Sequence, residues 1–484
     1  MNLGRPLPRS DVRHQAVGVG YPLWVLFAQA SVVVFMFIGF DTIGHVSPQP
    51  YFALSAVLIA AMVLFAPRGT FRRTRVSVSV VLFLSWWMLS YTWSTSRATW
   101  ISKSMSQFVA ILSLTMVASV LPMERLRGVW LGGLYAMVAY TFLYTVTVPG
   151  STTANDAATG GIANVGWHGP FDHKNILASF MVVGMLSVLT FEQRVWRRHL
   201  GIAVMVALVL LSRSGTGAGA MAASLAILAL TGRYAKHSAR KGGALVTMSM
   251  LASVIAISGA SLFLPSILKL YGKDITLTGR TDIWAGVWPA IRDKQWTGYG
   301  WGGVWVDPSR EPTTSILRRI GFVVFHAHNG ALELMLELGV VGLALYLCVF
   351  AAAVDGGRRL LKVDPALGQL VLAYCMLVFI SSVTEVLVVG PWLSILVFLR
   401  VLSMRTLAER GHASPGSSET VGPSHSRARR PAAASASAAL AMAANGSPDR
   451  VAMSRSDRVP SDWFSTQSRP ISTERESIPP PIAE

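Results

Sequence analysis

The chain of 484 residues is 52% hydrophobic and 14% charged, with a mean hydropathy of +0.48, where soluble domains carry about 25% charged residues. That composition excludes an ordinary soluble enzyme and points to an all-α, polytopic integral membrane protein, whose backbone polar groups must be satisfied inside helices. The net charge of +18 invites a nucleic-acid reading, but the basic residues cluster in short segments between apolar runs, so no nucleic-acid partner is expected.

Residues 1–20 are polar and carry Arg5, Arg9 and Arg13. No cleavable signal peptide is expected there, and 21–40 reads as a true first span. Apolar runs of roughly 20 residues, enough to cross ~30 Å of hydrocarbon, then recur about twelve times. They centre near 21–40, 51–66, 76–93, 105–121, 129–148, 175–191, 199–212, 216–231, 243–265, 331–354, 366–387 and 390–404. The pair 199–231 also reads as one long broken segment. Basic clusters fall at Arg68, Arg72, Arg73 and Arg75; at Arg194, Arg197 and Arg198; at Arg233, Lys236, Arg240 and Lys241; and at Arg358, Arg359 and Lys362. A cytoplasmic N-terminus places every cluster inside, which is the positive-inside bias of helical membrane proteins. It places 41–50, 94–104, 149–174, 213–215, 266–330 and 388–389 outside.

The membrane domain is expected over 21–405, with 266–330 as a large periplasmic loop. Residues 406–484, rich in Ala, Ser, Pro and Arg, read as a disordered cytoplasmic tail, with Arg427, Arg429 and Arg430 in reach of anionic lipid heads. Cys348 and Cys375 both fall inside spans and read as packing residues rather than a disulfide. No internal repeat is evident, which disfavours inverted-repeat transporter folds.

The outer loops hold the chemistry. Trp284 and Trp288 lie one turn apart in 278–291, which predicts a short helix flat on the interface, aromatic side down, ended or kinked by Pro289. Arg280 opens that helix against the positive-inside bias; a guanidinium there grips phosphate oxygens or a lipid headgroup. Arg213, in LLSRSGTGAGA, sits where two spans meet, and charge so near hydrocarbon is functional or paired. His328 and Asn329 stand where the long loop re-enters the membrane; an imidazole there can take a proton from a hydroxyl. His326 would point elsewhere on a helix. In GWHGPFDHKN, Lys174 reads as an anion contact and Asn175 as a helix cap. His168, Asp172 and His173 match no standard zinc spacing. The run from Gly298 to Gly303 satisfies G-x-G-x-x-G but lacks a βαβ setting. It reads instead as a tight loop whose Tyr299 and Trp301 offer a sugar-stacking surface.

In their order and placement these segments resemble the family of O-antigen ligases and Wzy-type polysaccharide polymerases. His328-Asn329, nine residues, then Gly339-Val340-Val341-Gly342 is similar to that family's H-N-x9-G-x-x-G. Gly279-Arg280 with Trp284, and Gly298-Tyr299-Gly300, resemble its large-loop pattern; Ser212-Arg213, Gly169-Pro170-Phe171 through Asn175, and Trp93-Ser94 resemble its shorter motifs. The form of these motifs is most similar to exopolysaccharide polymerases of the ExoQ type. The resemblance implies a C-type glycosyltransferase fold in the bacterial inner membrane, with both termini cytoplasmic. It implies a metal-independent transfer, without cofactor, of an undecaprenyl-pyrophosphate-linked oligosaccharide to a sugar hydroxyl. Arg213 and Arg280 would grip the pyrophosphate and His328 would deprotonate or orient the acceptor. Lys174, Asn175, Asn329, Trp284, Tyr299 and Trp301 would bind substrate. Membrane lipids, a flippase, a chain-length regulator and export proteins are the implied partners. An O-antigen ligase acting on lipid A–core, a transporter or flippase, and a non-catalytic scaffold are the alternatives. Glu333, Glu337 and Glu385 are the main charges inside the late spans that a transporter would use.

Overall fold

Eleven long helices coincide with eleven of the expected spans in a computed structural model that describes residues 22–38, 40, 48–149, 151, 153–154, 164–235, 248 and 279–412. They are α1 (Leu23–Ile38), α2 (Pro48–Phe65), α3 (Val78–Leu89), α4 (Arg97–Val120), α5 (Met123–Thr147), α6 (Lys174–Phe191), α7 (Val195–Leu211) and α8 (Gly215–Ala235). After α9 (Arg280–Asp293) and α10 (Thr313–Ile320) come α11 (Gly330–Leu360), α12 (Pro365–Ser382) and α13 (Pro391–His412). Seven of these, α4, α5, α6, α8, α11, α12 and α13, are long and apolar enough to cross a membrane; α1, α2 and α3 are shorter and apolar. The count of crossings is therefore not fixed at twelve, and the expected span 243–265 and the tail from 413 lie outside the described residues. The uncertain pair 199–231 is two helices, parted by a turn at Ser212, Arg213 and Ser214. Every described residue lies before the chain's division at Gly416.

The bundle is organised around α6, whose residues from Lys174 to Phe191 are mostly buried. Helix α12 packs against α8, α11 and α6, and α13 against α4. Aromatic pairs join further elements: Trp130 of α5 stacks on Phe398 of α13 at 5.2 Å, and Phe40, after α1, meets Phe180 of α6 and Trp392 of α13 edge-on. Cys375 is fully buried, as expected of a packing residue, but Cys348 lies on the outer surface of α11. Helix α13 runs past Arg405, the expected end of the membrane domain, because the Arg405 guanidinium caps the Ala118 and Leu121 carbonyls at the α4–α5 turn. Hydrogen bonds gather the segments around 93–95, 166–175, 212–214, 279–329 and 383–390 at one end. A two-residue antiparallel ribbon, β1 (Thr153–Ala154) with β2 (Asn164–Val165), belongs to that end.

Helix α9 has two local features of its own. Pro289 does not end α9, which continues to Asp293; it forfeits one backbone bond late in a helix that side-chain packing already holds. The two tryptophans of α9 have different surroundings, with Trp284 donating to the Ala327 carbonyl. Ile283, Val287, Ala290 and Ile291 form its buried face against Ile316 and Ile320 of α10, while Trp288 is exposed, with the Arg292 guanidinium over its ring.

Helix α11 is broken where the hydropathy is continuous. Gly339 takes φ 72°, ψ −176° inside it, and the carbonyls around the break lose their helical partners. The segment 295–303 inserts there and supplies new ones. Tyr299 N–H donates to the Leu336 carbonyl at 3.0 Å and Gly300 N–H to Glu337 at 2.9 Å, while the Gln295 carbonyl accepts from Val340 N–H at 2.7 Å. Trp86 Nε1 donates to the Leu338 carbonyl at 2.9 Å. Irregular backbone at membrane depth is tolerated only when buried in protein and satisfied this way. Replacing Gly339 with alanine puts a Cβ 2.1 Å from the Trp296 carbonyl oxygen at a positive φ. Gly339→Ala is expected to lower stability by about 2 kcal/mol or more. Gly132→Ala, where nothing lies within 4 Å, is expected to be neutral. Thermal unfolding of both variants in detergent is the measurement.

Candidate active site

Glu385 follows α12, in the loop to α13, because that helix ends at Ser382 rather than continuing to 387 as the hydropathy predicts. Its side chain is buried, and its two oxygens are used differently. Oε1 accepts from Asn175 Nδ2 at 2.5 Å and forms an ion pair with Arg280 Nη2. Oε2 faces His328 Nδ1 at 3.5 Å. Asn175 Oδ1 in turn accepts from Ser214 Oγ at 2.6 Å. One carboxylate thus ties together the start of α6, the α7–α8 turn, the start of α9 and the histidine segment before α11. Burial by itself would raise the Glu385 pKa; the His328 contact and the Arg280 charge outweigh it and hold the carboxyl down at about 2.

The histidine segment is not helical, which corrects the expectation that His326 points away. His328 has φ 47°, its N–H reaches His326 Nδ1 at 3.3 Å, and the two rings lie 3.9 Å apart. Ala327 between them is held on both sides. Its N–H donates to Glu333 Oε2 at 2.8 Å, and its carbonyl accepts from Trp284 Nε1 at 3.1 Å. Strained backbone of this kind persists only where its surroundings over-determine it. Arg213 is the other non-glycine residue at the site with a positive φ, at 51°.

The remaining expected residues fall into two groups. Arg213 is exposed beside Ser214, and among the described residues it pairs with no carboxylate. Lys174 is buried against the loop before α6, where the Trp167 N–H bonds the Leu211 carbonyl and so fastens that loop to the Arg213 turn. Asn175 does not cap its helix: His173 does, accepting from Asn175 N–H. Asn329 caps α11 through Ala331 and Leu332, and its amide donates to the Val383 carbonyl. Tyr299 and Trp301 do not form a stacking surface. They are 9% and 7% exposed, with Trp301 against Trp87 at 3.9 Å between ring centres, because their segment is the one that fills the break in α11. His168 is spent on the Phe171 carbonyl at 2.8 Å. Glu333 and Glu337 accept from Trp305 Nε1 and the Gly302 N–H, so both fasten loops.

Glu385 and Ser214 are the site residues that sequence reasoning missed. The signal for Glu385 was its isolation, a single carboxylate between apolar runs, but its placement within a span hid its loop position. The Ser214 signal was its place next to Arg213.

Residues 200–347 match the family described as O-Antigen ligase. Over 133 residues, 26% of this chain, the protein is 33% identical to the exopolysaccharide production protein ExoQ of Rhizobium meliloti (strain 1021), and the match spans 30% of that relative's length. The O-antigen ligase segment contains Arg213, Arg280, Trp284, His326, His328 and Asn329, whereas Lys174, Asn175 and Glu385 lie outside it.

Burial, followed by the neighbouring His328, pushes the His326 pKa down from 6.5 to about 3. A histidine whose folded pKa is depressed contributes stability above its unfolded value and loses it as pH falls from about 6.5 towards 3. The melting temperature is expected to drop between pH 7 and pH 5, and to drop less in His326→Gln. Thermal unfolding across that range checks both.

Proposed function

We propose that the chain is a membrane glycosyltransferase that moves an oligosaccharide from a lipid pyrophosphate to a hydroxyl of a second sugar, at the outer face of the bacterial inner membrane. The observation that carries this reading is the pairing of His328 with the buried Glu385 beside Arg280. The Glu385 carboxylate faces the Nδ1 side of the imidazole at 3.5 Å, while Nε2 makes no hydrogen bond among the described residues, and the side chain is 26% exposed. An acceptor hydroxyl gives its proton to Nε2 as its oxygen attacks the anomeric carbon. The bond from that carbon to the diphosphate oxygen breaks, and the diphosphate leaves with the electron pair. Glu385 stabilises the imidazolium that forms. Arg280 keeps N–H groups beyond the one given to Glu385, and with Arg213 it takes up the charge growing on the leaving group.

Likeness to an exopolysaccharide production protein favours polymerisation, in which lipid-linked repeat units serve as both donor and acceptor. Transfer to lipid A–core is the second reading. Transport is disfavoured, since Glu333 and Glu337 are engaged with loop backbone and an indole rather than lining a path. The implied partners are the lipid-linked glycan, membrane lipids, a flippase, and chain-length and export proteins.

Purified protein given a lipid-linked repeat unit is expected to lose chain growth by a factor of about 10² or more in Arg280→Ala and in His328→Ala. Unchanged polymer from both variants overturns the assignment. A reporter fused after Ala290 is expected to be active in the periplasm. Single repeat units on the surface of a deletion strain indicate a polymerase; long free polymer that fails to reach lipid A indicates a ligase.

A further inference from the structure

We propose that His326, His328 and Glu385 form a binding site for a borderline divalent ion of the zinc class, and that its occupancy switches off the base. The switch rests on the reading of His328 given above; the site itself does not.

Three observations meet here. One ligand atom from each of the three residues lies within 4.8 Å of the others. The separation of His328 Nδ1 from Glu385 Oε2 is 3.5 Å, close to the roughly 3.3 Å edge of a tetrahedron built on ~2.0 Å metal bonds. Two of the three lone pairs, on Glu385 Oε2 and on His328 Nδ1 when that ring carries its proton on Nε2, are also without a hydrogen-bond donor. Arg280 and Asn175 occupy Oε1 and leave Oε2. His328 Nδ1 is buried and makes no hydrogen bond. His326 Nδ1 accepts a long, 3.3 Å bond from the backbone of His328, so the ion takes that ring's single lone pair in place of this bond. Two imidazole nitrogens and one carboxylate oxygen, with a fourth position open to water, suit Zn²⁺ or Cu²⁺ and not the oxygen-seeking Mg²⁺ or Ca²⁺. The Arg280 charge on the far carboxylate oxygen weakens the site, which fits a reversible ion rather than a resident one.

The consequence follows from imidazole chemistry. Coordination through Nδ1 takes that lone pair, so the neutral ring carries its proton on Nε2 and accepts no second one from a hydroxyl. Metal binding and base function are mutually exclusive at His328.

Full-length protein in nanodiscs, stripped with chelator and titrated with ZnCl₂ by calorimetry, is expected to bind one ion. Binding is expected to weaken by about tenfold or more in His326→Gln and in Glu385→Gln. Turnover of lipid-linked glycan is expected to fall with occupancy and to return with EDTA. His326→Gln is the deciding variant, because it leaves the Arg280 pair intact. No saturable binding below about 100 µM, or equal affinity in His326→Gln, overturns the site. Turnover that is unaffected or rises as the ion binds overturns the switch. An inactive metal-free protein overturns the proposed function and the switch with it, while calorimetry still decides the site.

Discussion

A buried carboxylate at the rim of an apolar bundle is the constraint on which this end of the molecule depends. Unpaired, such a charge costs several kcal/mol. Glu385 escapes that penalty only by drawing a guanidinium, an amide and an imidazole from three other segments. Those segments are far apart in sequence, so the same contacts that compensate the charge also fix how these loops meet. Removing one partner leaves the others around an uncompensated ion, which couples Arg280, Asn175 and His328 more tightly than their separations along the chain imply.

That geometry needs a rigid floor, and the broken helix α11 provides it. Its first half, Gly330 to Leu338, ends at a backbone break whose carbonyls are satisfied by 295–303 and by Trp86. The same short stretch carries Asn329 as its cap and Glu333 as the acceptor for Ala327 N–H. The histidine pair is therefore placed by a helix end that cannot slide, since the break beneath it is pinned by four hydrogen bonds to other elements. Positioning of this kind is what a proton transfer at about 3 Å demands.

Much of this was legible in the sequence. Apolar runs gave helices at eleven expected places, and outer-loop charges marked Arg280, Arg213 and His328 because charge near hydrocarbon is rare. What stayed hidden has a common cause: hydropathy does not register backbone geometry. The break at Gly339 is invisible because Leu338 and Val340 are both apolar. Glu385 was assigned to a span because its flanks are apolar, although the helix stops at Ser382. Tyr299 and Trp301, among glycines, read as surface aromatics, yet the glycines serve to bring that segment against α11: a Cβ on Gly298 would lie 2.4 Å from the Glu337 carbonyl carbon.

The three glutamates of this region show why residue type alone does not assign a role. Glu333 and Glu337 accept from neutral donors, the Trp305 indole and the N–H groups of Ala327 and Gly302. Such donors hold a loop against a helix and have nothing further to give a substrate. Glu385 is met by a guanidinium and an imidazole, groups with donors and charge to spare. In the proposed transfer a diphosphate would share Arg280 with Glu385, whose Oε1 also accepts from Asn175. The difference lies in the partners, and only the folded chain brings Arg280 to one carboxylate and Trp305 to another.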